Sequence, residues 1–319
     1  MPELSKIDVG EVALRCAIEG QGPLVIMVHG FPESWYSWRH QLGPIADAGF
    51  TACAIDVRGY GGSDKPKDIA AYDMERIVGD LVGLRQVLSL DRQAVLVGHD
   101  WGAPIVWNSA LTNPQHFRAV AGLSVPFSGA PQRPFTEVFR EHFTSQGRFF
   151  YQEYFQKPGL AEAEAEANPR LFVQRMMYSI SGDVPEGDYW SKPLGAKFLE
   201  GLPDPQPLPW LNEADLDYYE AEFKASGFAG PLNRYRNHEA DFDWLRAWQG
   251  KRIEQPSLFI GGTRDPATTL FGAAPDPVAM MRLFAPKVEG HVLEGVGHWT
   301  QQERPEKVNA LLLDWLGRL

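Results

Sequence analysis

Four short apolar runs punctuate the first part of the chain: PLVIMVHG (23–30), FTACAIDVRG (50–59), AVLVGHD (94–100) and AVAGLSV (119–125). Each ends in glycine or polar residues and is separated from the next by a segment of helical length. The pattern therefore predicts strands joined by crossover helices in a mostly parallel sheet. Between roughly Phe127 and Gly250 the pattern changes. Aromatic-rich stretches such as EVFREHFTSQGRFFYQEYF and EADLDYYEAEFKASG have helical character, with no convincing strand among them. Strand grammar returns with PSLFIGG and GHVLEGVGH, and EKVNALLLDWLGRL closes the chain with apolar residues at helical spacing. The reading is one α/β domain built from residues 1–127 and 251–319, interrupted by a helical insertion over 128–250. Ligands in open α/β sheets bind beyond the carboxyl ends of the strands, so an insertion placed after a strand predicts a cap over that site. The patch AEAEAEA at 161–167 reads as a solvated helix face.

Composition narrows the function classes. With 319 residues and 44% hydrophobic content the chain can bury a full core, which excludes disorder as its main state. A formal net charge of −11 argues against nucleic acid or an anionic membrane surface as partner. The cysteines, Cys16 and Cys53, are flanked by apolar residues in strand-like runs and read as buried free thiols in a reducing, cytoplasmic setting. The start, MPELSKIDVG, lacks the basic-then-apolar pattern of a signal peptide, and no apolar stretch approaches the ~18 residues needed to span a bilayer. A soluble intracellular protein is expected, and a homodimer is compatible with that reading.

The strongest chemical signal is Gly98-His99-Asp100-Trp101-Gly102, which follows the strand-like AVLV and precedes the helical APIVWNSAL. This is the context of a nucleophile elbow, in which flanking glycines permit a sharp turn that presents one side chain. That side chain is an aspartate, ionised at neutral pH and needing no base to activate it. Attack on an ester carbonyl would give a mixed anhydride with little gain. Attack at saturated carbon gives an alkyl ester that water can later cleave, which fits epoxide opening and dehalogenation. His298, in GVGHWT after the last predicted strand, is placed to activate that water, and Asp265, in GGTRDPAT, to hold the other imidazole N–H. Asp276, in the Pro-flanked turn APDPV, is the competing choice. Cleavage of the ester puts charge on an oxygen of Asp100, and two backbone N–H groups are expected to receive it. One is that of Trp101 and the other that of Phe31, in His29-Gly30-Phe31-Pro32. No cofactor and no metal enters this chemistry.

Through HGFPESWYSWRHQ, DVRGYGGSDKP, GHDWGAPIVW, YQEYFQKPG, SGFAGPLNRYRN and GHWTQ the chain resembles the soluble epoxide hydrolases of the α/β-hydrolase fold, over nearly its whole length. Only the hydrolase unit is expected, without the N-terminal phosphatase-type domain of some mammalian members. The resemblance implies two cap tyrosines that hydrogen-bond the oxirane oxygen, at Tyr151 and Tyr235. The residues alone do not choose these from Tyr154, Tyr178, Tyr189, Tyr218 and Tyr219. Phenols suit the task, because they donate to a forming alkoxide while staying neutral. Glu33 and His99 either position the hydrolytic water or stabilise their loop.

Haloalkane dehalogenases share the aspartate, the histidine and often the tryptophan after the nucleophile. They usually carry Asn or Glu where this chain has Phe31, and need no paired tyrosines. A serine esterase is excluded by the carboxylate at position 100. A non-catalytic binding protein of the same fold would be expected to lack a catalytic group, and none is missing. The expectation is an enzyme that converts small apolar epoxides and water into vicinal diols.

Overall fold

The computed structural model describes residues 2–89, 92–187, 189–270 and 276–319. Its strands are β1 (Glu3–Asp8), β2 (Ala13–Glu19), β3 (Leu24–Val28), β4 (Thr51–Ile55), β5 (Ala94–His99), β6 (Phe117–Leu123), β7 (Ser257–Gly262) and β8 (Val288–Leu293). They form an eight-stranded sheet in the order β1-β2-β4-β3-β5-β6-β7-β8. β2 pairs antiparallel with β1 and β4, and the pairings from β4 to β8 are parallel.

The unbroken apolar runs have a direct cause. In β3, Leu24, Ile26 and Val28 join one core while Val25 and Met27 join the other, so both faces of the strand are dry. Cys16 and Cys53 are free and fully buried in the first of these cores. Fully burying a side chain of this size contributes about 1.5–3 kcal/mol, so each central strand acts as a two-sided anchor.

Before the insertion the helices are α1 (Leu42–Asp47), α2 (Met74–Leu88) and α3 (Gly102–Thr112). Between β6 and β7 come α4 (Phe135–His142), α5 (Tyr151–Phe155), α6 (Leu160–Ala167), α7 (Pro169–Ser179), α8 (Glu213–Ser226), α9 (Ala229–Arg234) and α10 (His238–Leu245). The chain finishes with α11 (Pro266–Leu270), α12 (Pro277–Met281), α13 (Thr300–Glu303) and α14 (Pro305–Leu316). On α14 the residues Val308, Leu312, Trp315 and Leu316 pack into the second core, which is the spacing that marked the segment as amphipathic. Among the described residues no helix is long and apolar enough to cross a membrane.

Two local expectations change. The stretch EVFREHFTSQGRFFYQEYF is not one helix: α4 ends at His142, Gly147 turns the chain at φ 71°, and helix resumes at Tyr151. The AEAEAEA patch forms most of α6 and is only in part a solvated face: Ala163, Glu166 and Ala167 are exposed. Ala161 and Ala165 are fully buried. Glu162 accepts from Gly159 N–H and pairs with Arg236, Glu164 accepts from Phe198 and Leu199 N–H, and Glu166 accepts from Phe228 N–H. Glu162 thereby caps its own helix, Glu166 serves the N-cap residue of α9, and Glu164 satisfies backbone donors of the irregular segment at 198–199.

Candidate active site

The turn between β5 and α3 fixes the Asp100 carboxylate. Asp100 sits there at φ 50°, a left-handed conformation that a non-glycine residue keeps only when its surroundings enforce it. The turn also needs glycine on both sides. A Cβ on Gly98 would lie 2.1 Å from Gly102 O, and one on Gly102 would lie 2.0 Å from Val28 O. Across from them, a Cβ on Gly30 would lie 2.2 Å from Asp100 Oδ1.

Phe31 N–H donates to Asp100 Oδ1 at 2.8 Å, while His298 Nε2 lies 3.2 Å from Asp100 Oδ2. On its far side, His298 Nδ1 lies 2.9 Å from Asp265 Oδ1. Asp265 is fully buried and accepts in turn from Ala267 N–H and the Thr268 hydroxyl. Asp276, by contrast, is exposed and caps α12, accepting from Val278 and Ala279 N–H. Trp101 N–H makes no hydrogen bond to the Asp100 carboxylate among the described residues, whose second oxygen faces His298 instead. It lies at the start of α3, where backbone donors have no partner within the helix and can serve an oxygen that moves toward them.

Above this carboxylate stand two phenols from the insertion. Tyr151 opens α5 and Tyr235 directly follows α9, with their ring centroids 6.1 Å apart. Tyr235 also meets Phe31 at 5.7 Å and Trp101 at 5.2 Å. Gln152 Nε2 donates to Tyr151 Oη at 2.9 Å, and Tyr235 packs edge-on against the Trp101 ring. Neither phenol O–H has an acceptor among the described residues. Burial first, and then the negative charge of Asp100, push both phenols above their ordinary pKa. Both are therefore neutral donors at any ordinary pH. Other tyrosines of the insertion are occupied: Tyr154 donates to Glu164, Tyr218 stacks on Tyr36, and Tyr219 bonds with Ser37. Phe155, Phe172 and Phe228 surround the Phe31 ring, so the space beside the carboxylate is walled by apolar rings.

For His298, burial alone would lower the pKa, but the charges of Asp265 and Asp100 and hydrogen bonds to both outweigh it and hold it well above the ordinary value. The two flanking carboxylates thus favour the protonated ring.

Glu33 and His99 lie one layer deeper, both fully enclosed. Glu33 Oε2 accepts from Gly30 N–H at 3.0 Å and faces His99 Nδ1 at 2.7 Å, and Oε1 accepts from Gln301 and Gln302. His99 Nε2–H donates to the backbone carbonyl of His298 at 2.7 Å. Burial would raise the Glu33 pKa, yet the charge and hydrogen bond of His99, with the Gly30 bond, lower it to about 2. The sequence did not single out Gln152, Gln301, Gln302 or Ser124. Ser124 turns at φ 69° after β6 and donates to His298 O at 2.5 Å, and its one sequence signal is its place at a strand's carboxyl end. No group of three or more His, Cys, Asp or Glu placed to hold a metal occurs among the described residues.

This geometry can be set beside known proteins. Residues 23–305 match the α/β-hydrolase fold family. Epoxide hydrolase A of Mycobacterium tuberculosis is 43% identical over 318 residues, covering 97% of this chain and 96% of that protein. A solved epoxide hydrolase from an endophytic Streptomyces superimposes with a TM-score of 0.92 at 43% identity, covering 99% of this chain and 95% of that one. Epoxide hydrolase A from Mycobacterium thermoresistibile gives the same TM-score of 0.92 at 41% identity, covering 99% and 98%. The chain belongs to the epoxide hydrolases of the α/β-hydrolase fold family.

Proposed function

We propose that this enzyme hydrolyses apolar epoxides to vicinal diols through a transient ester on Asp100. The observation that carries the reading is a carboxylate at the elbow, held between Phe31 N–H and His298, beside two phenols whose O–H groups have no acceptor among the described residues. A carboxylate oxygen of Asp100 attacks one oxirane carbon, the C–O bond breaks, and Tyr151 and Tyr235 donate to the departing oxygen. The product of this step is a β-hydroxyalkyl ester.

Forming the ester removes the negative charge that held the His298 proton from the Asp100 side. The ring then yields its proton, by way of solvent, to the phenolate left by ring opening, and the neutral imidazole can take one from water, with Asp265 fixing its orientation. Water attacks the ester carbonyl, the developing oxyanion is received by Phe31 and Trp101 N–H, and the diol leaves. In this scheme Glu33 supports the loop. Its acceptor sites are already filled by Gly30, His99, Gln301 and Gln302, which leaves little capacity to hold a water. The helical insertion serves as the cap that brings both tyrosines over the nucleophile and excludes bulk water. The free, buried thiols are consistent with a reducing, cytoplasmic environment.

Dehalogenation is disfavoured because the loop position that would supply a second halide donor is Phe31, and because the paired phenols have no use in releasing a halide. A panel of terminal, internal and aryl epoxides assayed beside primary haloalkanes is expected to give diol without halide release. Halide release with no diol from any epoxide would overturn the proposal.

A further inference from the structure

Asp265 holds the imidazole of His298, but a different carboxylate holds its backbone. Glu303, on α13, is 4% exposed. One of its oxygens, Oε2, accepts from Gly297 N–H at 2.9 Å and from Gly182 N–H at 3.0 Å, and the other, Oε1, accepts from Trp299 N–H at 3.1 Å. Gly297 and Trp299 are the two chain neighbours of His298, so the carboxylate straddles the base. Gly182 belongs to the insertion, so the same oxygen also ties the insertion to the base-bearing loop.

Further contacts lock this junction. His298 N–H donates to Ile180 O at 2.9 Å, and Arg264 donates to the carbonyls of Gly182 and Val184. There is no room to spare: a Cβ on Gly297 would lie 2.1 Å from Gly182 N, and one on Gly182 would lie 2.3 Å from Gly295 O. Glu303 has no Lys, Arg or His within ion-pair distance among the described residues, and burying a carboxylate without a counter-charge is costly. Three charge-assisted bonds to backbone donors offset that cost and leave a loop that is rigid where the base must be accurate.

We infer that Glu303 is a positioning residue for the hydrolytic half of the reaction: it fixes the His298 loop and locks the Ile180–Val184 segment of the insertion to it. It touches neither Asp100 nor the tyrosines, so ring opening does not depend on it. A glutamine cannot replace it, because its amide N–H₂ would face backbone N–H donors. The inference rests on the proposed role of His298, and the test keeps the two apart.

The test is rapid-quench kinetics with a single epoxide, following formation and decay of the protein-bound ester by intact mass in the wild type, Glu303→Gln and Glu303→Asp. Thermal melting of each is recorded alongside. Misplacing a catalytic group by about 1 Å costs on the order of 100-fold. Ester formation is expected to be unchanged and ester decay to slow by about 10- to 100-fold in Glu303→Gln. Decay at the wild-type rate in a folded Glu303→Gln would overturn the inference, as would an equal slowing of both steps. Hydrogen exchange in the wild type reads the clamp without a variant. The Gly182, Gly297 and Trp299 amides are expected among the slowly exchanging loop amides, and free exchange at all three would overturn the inference even if neither variant folds. Absence of any ester in the wild type would instead defeat the proposed function while leaving the exchange result to judge the clamp.

Discussion

His298→Gln is expected to consume one equivalent of epoxide and then stop, with the substrate's mass retained on the protein. Ring opening needs only an ionised Asp100 and neutral phenols, and neither depends on the imidazole. Decay of the ester needs a base, and general-base catalysis supplies about 10²–10⁴-fold, so turnover should fall by roughly that factor while the first step persists. Glutamine keeps the volume and a hydrogen bond to Asp265, which limits the change to the lost base. The same logic fixes the pH dependence in the wild type. His298 is held above its ordinary pKa in the resting enzyme by Asp265 and Asp100, and the Asp100 contribution vanishes in the ester. Ester decay should therefore rise with pH as the imidazolium loses its proton and fail on acidification, whereas ester formation should not follow this profile. Intact-mass kinetics across pH check both statements. An adduct that never accumulates in His298→Gln, or a decay rate that falls as pH rises, would contradict the division of labour.

Replacing Tyr151 and Tyr235 together by Phe is expected to abolish ring opening and leave the fold in place. The departing alkoxide would then form among Phe31, Phe155 and Phe172 with no donor to receive it, and an unpartnered anion in such surroundings is heavily penalised. Each single Phe variant should retain part of the rate, because one phenol still donates. The pair should lose more than about 10⁴-fold, with no adduct detected even on long incubation. Loss of two hydroxyls without loss of ring volume should shift the melting temperature little, since neither O–H is bonded within the protein. Tyr151 accepts from Gln152 and stands at the start of α5, whereas Tyr235 packs edge-on against the Trp101 ring. Retained full activity in the double variant would remove both residues from the mechanism.

The sheet was largely legible because its central strands are dry on both faces, which forces runs such as LVIMV and leaves an unmistakable record in sequence. The elbow was legible for a related reason: Gly98 and Gly102 are sterically required, so the motif cannot drift. The grouping of Asp100, Asp265 and His298 could be anticipated from their places after β5, β7 and β8, with Asp276 left as the competing choice until its exposed place at the start of α12 was seen. Much of the rest was not legible. The choice of Tyr151 and Tyr235 among many tyrosines rested on a family resemblance, since nothing local separates them from Tyr154 or Tyr219. The break between α4 and α5 begins at Phe143, whose backbone leaves the helix, and Gly147 completes the turn. The glutamates of α6 look like surface charge in sequence but are bonded to the backbone N–H groups of distant segments. Glu303 and Ser124 were invisible for the same reason, as each acts on backbone atoms of His298 or its neighbours, and such contacts impose no pattern on the residues around them.

The central claim is that an oxygen of Asp100 becomes bonded to substrate carbon, and a single turnover in ¹⁸O-labelled water with enzyme in excess tests it most directly. The account predicts that the first diol carries an unlabelled oxygen from the carboxylate while the label enters Asp100, where peptide mass spectrometry locates it. Label appearing in the first-turnover diol, with none in the protein, would mean that water attacks the epoxide itself and would contradict the account.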